Sequence, residues 1–119
     1  MIYKENYQAL KVLAAKIAKE LPFDFLLDYQ KIKRNKSGFL SSIYSEDNNP
    51  SMKLIPGTNK LKDFSSGKVV NNIEFYRDYR RINFFRTVIE LKEILDLYIL
   101  SKKNIYTPQR KKDQKLTGI

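Results

Sequence analysis

A chain of 119 residues with 42% hydrophobic and 13% aromatic content can bury one core, and its lack of cysteine and histidine excludes disulfides and the usual zinc, haem and iron–sulfur sites. A magnesium site built on carboxylates is left open. The balance of 23 Lys and Arg against 13 Asp and Glu, a net +10, favours a polyanionic partner, most simply nucleic acid; a ribosomal or merely basic surface is the plain alternative.

Residues 3–21 place Tyr3, Tyr7, Leu10, Leu13, Ala14, Ile17 and Leu21 on one arc at helical spacing, which predicts an amphipathic helix ended by Pro22. The stretch FDFLLDYQKIKRNKSGFLSSIY mixes aromatic and β-favouring residues around a turn signal at Asn35–Gly38, and predicts a β-hairpin carrying Lys31, Lys33, Arg34 and Lys36. A second hairpin follows from MKLIP, GTNK and KLKDFS, with Lys60, Lys62 and Lys68 around it. From Asn71 to Ile82 the spacing is helical again, with Phe75, Tyr76, Tyr79 and Ile82 on one side and a basic face of Arg77, Arg80 and Arg81 on the other.

Asn83 suits the N-cap of a third helix, FFRTVIELKEILDLYILSKK, whose inner stripe is Val88, Leu91, Leu95 and Tyr98. Phe85, Ile89, Ile99 and Leu100 widen that stripe beyond the roughly 100° a surface helix needs. Either the helix is deeply buried, or Phe85, Ile89 and Leu100 meet a partner protein. Residues 102–119 hold six basic residues and one acidic, half of the net charge, and read as a loosely attached basic tail behind a single domain of residues 1–101. No run of about 18 apolar residues is present and the N-terminal MIYKENYQAL lacks the apolar stretch of a signal peptide, so a soluble, cytoplasmic protein is expected.

Two segments, SIYSEDNNPS at 42–51 and LKDFSSG at 61–67, share a pattern: a polar residue, two spacers, a second polar residue and a tight turn. Together with GKVVNNIEFYRDY after them, the order of features from Ile17 to Leu97 resembles the N-terminal zinc-binding domain of bacterial and phage primases. Aligned on Pro50-Ser51 and on Ile73-Glu74-Phe75, Ser42 and Ser45 stand at the first two zinc-ligand positions and Asp63 and Ser66 at the last two. Hydroxyls and one carboxylate do not hold a structural tetrahedral ion, so the resemblance implies a metal-free form without cofactor. In that form, hydrogen bonds among Ser42, Ser45, Asp63 and Ser66 replace the zinc.

The expected fold is therefore α+β: a small antiparallel, zinc-ribbon-like sheet with an N-terminal helix and two C-terminal helices. The resemblance further implies engagement of single-stranded DNA template and docking on a separately encoded primase, DNA polymerase or helicase. Phosphates would be tracked by the basic residues named above, and exposed aromatics such as Tyr29, Tyr44 or Phe64 would stack on bases. Core packing is the plain alternative for these rings, and the stronger one for Phe64. The acids form no paired-carboxylate motif, Glu46-Asp47 lying in a turn and Asp24 and Asp28 flanking a strand, so no catalysis by this chain is expected. The competing reading is an adaptor or inhibitor of a replication protein, with its third helix in a partner's groove and no direct role on DNA.

Overall fold

The structure, a computed structural model, describes residues 6–46 and 49–103. Tyr3, Asp47 and residues 104–119, most of the expected tail, lie outside the described residues. The fold is α+β, with the order α1 (Tyr7–Glu20), α2 (Phe23–Tyr29), β1 (Leu40–Ser41), β2 (Pro50–Leu54), β3 (Lys60–Asp63), β4 (Val69–Asn71), α3 (Asn72–Arg80) and α4 (Phe84–Lys103). The strands form one antiparallel open sheet in the order β1-β2-β3-β4.

Each helix end has a chemical cause. Pro22 both stops α1 and begins α2, its carbonyl accepting from the Leu26 N–H at 3.1 Å. The last carbonyls of α1 would otherwise be orphaned. Two asparagines from distant parts of the chain serve them: Asn59 Nδ2 donates to Ala18 and Leu21, and Asn72 Nδ2 to Ile17 and Leu21. Asn71 opens α3 with a reciprocal capping box to Glu74, and Asn83 Oδ1 accepts from the Arg86 N–H at 2.8 Å to open α4. Arg81 closes α3 in the left-handed conformation at φ 58°.

The core lies between the helices and one face of the sheet. Leu10 and Ile17 from α1 and Leu21 at its end meet Val88, Leu91 and Leu95 from α4, while Met52, Leu61 and Val70 supply the sheet side and Phe23 and Phe75 cross edge-to-face at 5.7 Å. Fully burying one such side chain stabilises the fold by about 1.5–3 kcal/mol.

The expected first hairpin is corrected. Phe23, Leu26 and Leu27 are buried at i, i+3 and i+4, the spacing of a helix, and that burial outweighs the β preference of the aromatic residues around them. Lys31, Lys33, Arg34 and Lys36 accordingly lie on an irregular segment between α2 and β1, and Asp24 and Asp28 sit one helical turn apart on α2. Helix α4 runs two residues past the expected domain boundary at residue 101. Lys102 and Lys103 occupy its last turn, where cations suit the negative end of the helix dipole.

Candidate nucleic-acid interface

Two turns meet at Asp63, at the end of β3. The register pairs Asp63 with Met52, so its carboxylate points to the core-facing side and is fully buried. Four serine hydroxyls converge on it: Ser42 at 2.8 Å and Ser66 at 2.8 Å to Oδ2, Ser51 at 2.6 Å to Oδ1, and Ser65 at 2.9 Å to Oδ1. Burial by itself raises a carboxyl pKa. Here the hydroxyls of Ser51, Ser66, Ser42 and Ser65 outweigh it and hold the group down at about 2.

The two turns repeat one local device. Ser42 Oγ accepts the Tyr44 N–H at 2.9 Å while donating to Asp63, and Ser66 Oγ accepts the Lys68 N–H at 3.2 Å while donating to the same oxygen. The residues two places on also meet, since Lys68 Nζ lies 4.5 Å from the Tyr44 ring centroid. Ser42, Asp63 and Ser66 thus come together as the resemblance implies. Two further hydroxyls take part: Ser51, which entered the sequence reading only as an anchor of the alignment, and Ser65, which it did not single out. Ser51 is reached because β2 pairs with β3, its carbonyl accepting the Phe64 N–H at 2.8 Å. Among the described residues no group of three or more Asp, Glu, His or Cys side chains could hold a metal ion.

On the sheet's other face the side chains are lysines and aromatic rings. Lys53 and Lys62 are direct cross-strand partners on β2 and β3, with Val69 next in line on β4, and Lys60 shares the face by the two-residue period of a strand. Lys53 Nζ sits 5.0 Å from the Phe39 ring and Lys62 Nζ 5.0 Å from the Phe64 ring, and those rings meet edge-to-face at 6.0 Å. Phe64 is 58% exposed, which corrects its expected place in the core. It follows the last residue of β3 and so falls on the solvent side of the turn. The Asn35–Gly38 turn abuts this surface, because Lys53 Cε lies 3.5 Å from where a Gly38 side chain would start. Lys36 is thereby brought to its edge.

The arginines behave differently. Arg34 bridges Asp24 at 2.6 Å and Asp28 at 2.8 Å, locking the irregular segment onto α2. Arg80 and Arg86 both reach Glu90, at 3.2 and 2.9 Å, and Arg77 pairs with Asp78 at 3.0 Å. The basic face expected on α3 is therefore largely neutralised, with Arg81 at the helix end. By contrast Lys31, Lys33, Lys36, Lys53, Lys60, Lys62 and Lys68 have no ion-pair partner among the described residues. Tyr44 is no free stacking surface. Its hydroxyl donates to Asp78 at 2.6 Å, and burial together with that bond pushes its pKa well above the ordinary value.

The broad stripe of α4 is resolved into two parts. Phe85 and Ile89 are half-buried, whereas Leu100, at 53% exposure, and Leu97, at 45%, face solvent near the helix end. No helix among the described residues is long and apolar enough to cross a membrane. Comparison with protein-family models, with curated proteins and with solved structures finds no match to this chain.

Proposed function

We propose that the protein is a non-catalytic accessory subunit for replication priming that binds single-stranded DNA on the outer face of its sheet and docks on a separately encoded primase or polymerase. One observation carries the reading: Lys53 and Lys62 stand directly opposite each other with no ion-pair partner among the described residues, beside the paired rings of Phe39 and Phe64. Like charges directly across a strand pair cost stability, and a phosphate chain removes that cost. The exposed Phe64 ring, with the half-buried Phe39 beside it, supplies the second need of a single strand, a face on which bases stack, worth about 1–3 kcal/mol per base. The resemblance to the zinc-binding domain of primases supports the choice of DNA and of the partner class. The hydroxyl cage on Asp63 gives that zinc-ribbon-like reading a physical form, since it ties two turns together as an ion would.

The test is a salt titration of binding to a fluorescent single-stranded oligonucleotide. Replacing Lys53, Lys60 and Lys62 with glutamine should lower the slope of log K against log salt by about 2, at roughly 0.7 per lost phosphate contact. Replacing Arg77, Arg80 and Arg81 should change it far less. An unchanged slope in the lysine variant would remove DNA from the reading and leave the adaptor alternative, for which the exposed Leu97 and Leu100 are the surface to mutate.

A further inference from the structure

Every second residue of β3 faces the outer side of the sheet, so Lys60 and Lys62 form one file, while Leu61 and Asp63 are buried on the core side. Phe64 continues the file past the strand. Its N–H donates to the Ser51 carbonyl at 2.8 Å, which carries the β2–β3 ladder one residue further. Lys53 stands opposite Lys62 on one side, and Val69, 45% exposed, stands opposite it on the other. Asp63 is the acid of these strands and is fully buried, so β2, β3 and β4 place no carboxylate on this face.

Spacing along the face sets the course of a bound strand. Opposed residues lie about 5 Å apart across neighbouring strands, so Lys53 and Lys62 can share one phosphate. Lys60 and Lys62 lie two residues apart, about 6.8 Å, close to the step between successive phosphates. A nucleic acid laid along β3 meets one phosphate at Lys53 and Lys62 and the next at Lys60, with a base over Phe64.

The neutral hydrogen-bonding side chains of β2–β4 are committed within the protein. Ser51 donates to Asp63 at 2.6 Å, and Asn71 accepts from the Glu74 N–H at 2.9 Å to cap α3. Thr58, in the turn between β2 and β3, donates to the Ile55 carbonyl at 2.8 Å. Sequence is read through hydrogen bonds to base edges, and RNA is told from DNA through its 2′-hydroxyl. Ammonium groups on phosphates and a ring under a base touch only what every strand has in common.

Resting on the single-strand reading of this face, we propose that it binds single-stranded RNA as well as DNA and does not discriminate base sequence, with Lys53, Lys60 and Lys62 on phosphates and Phe64 under one base.

The experiment follows the anisotropy of fluorescein-labelled single strands with the full chain: one mixed sequence as DNA and as RNA, and a second DNA of different sequence. The three affinities should agree within about fivefold at one salt concentration. Phe64→Ala should weaken all three by a common factor of about ten. Lys53→Gln combined with Lys62→Gln should flatten all three salt slopes alike. Lys16→Gln, exposed on α1, should change none of them, with melting curves showing that every variant folds. A larger preference for one sugar or one sequence, or a Phe64→Ala loss confined to one strand, would overturn the proposal and leave strand binding on this face standing. RNA binding that ignores the lysine and Phe64 variants would also overturn it, since RNA would then lie elsewhere. Absence of saturable binding to all three strands would remove the single-strand reading together with it.

Discussion

Asp63 and Glu90 are two carboxylates that each gather several donors, and they differ in what they gather. Asp63 is fully buried and takes four neutral hydroxyls, so its negative charge is solvated locally and not cancelled. Glu90 lies at the surface edge and takes two arginines and a tyrosine, the Tyr76 hydroxyl at 2.6 Å. Burial and that bond push the tyrosine up to about 12, while Glu90, despite its own partial burial, is held below its ordinary value by Tyr76, Arg86 and Arg80. The first arrangement joins β1, β2 and the turn after β3 without using a cation. The second uses cations up. Arg80 and Arg86 are thereby neutralised, while the lysines of the sheet have no ion-pair partner among the described residues.

The sharpest break of this comparison is Asp63→Ala. It leaves buried hydroxyls without their acceptor and should destabilise the protein by about 3 kcal/mol in urea unfolding, the upper range for a buried network. An unchanged midpoint would reduce the cage to a solvated turn. Next in size is acid. The Asp63 carboxyl sits at about 2 in the folded chain against an ordinary 3.8, so its contribution is fully present above pH ~4 and lost as pH falls through ~2. That amounts to about 2 kcal/mol, measurable as a shrinking stability gap between the wild type and Asp63→Asn over that window.

Glu90→Gln should cost only about 1 kcal/mol, since an ion pair near the surface contributes little. Its more telling readout is binding. Releasing Arg80 and Arg86 should steepen the salt dependence on single-stranded DNA if α3 lies within reach of the strand, and leave it unchanged if the strand is confined to the sheet. Smallest of all is the effect of excess chelator, which should leave the melting curve where it is, because hydroxyls and a single carboxylate form the cage. A chelator-dependent loss of melting temperature would show a bound ion holding the turns.

The cage was partly legible beforehand. Ser42, Asp63 and Ser66 came from the alignment that the primase-domain resemblance implies, whereas Ser51 served there only as an anchor and Ser65 carried no separate signal, since serines near turns are common for local reasons. Phe39 and Lys53 were missed for a related reason. Phe39 sits beside a two-residue strand too short to show alternation, and Lys53 acquires meaning only from standing opposite Lys62. Asn59 read as a turn residue and Asn72 as the start of a helix, yet each reaches back more than 35 positions to α1.

What the sequence determined by itself is whatever depends on neighbours a few residues apart. The periods of α1, α3 and α4, the Asn71–Glu74 and Asn83 caps and the hairpin of β2 and β3 are of this kind, because helix and turn energetics act over three or four positions. In α2 the same local signal was present, at Phe23, Leu26 and Leu27, but aromatic content obscured it until the core showed which side chains were buried. Tertiary structure alone decided which charges cancel. Arg34 finds Asp24, Arg80 finds Glu90, and Lys53 comes to stand opposite Lys62; each outcome depends on distances of a few ångströms between residues nine or ten apart in sequence. Coulomb attraction falls with distance in space and is blind to separation along the chain, so composition counts the charges and only the fold pairs them.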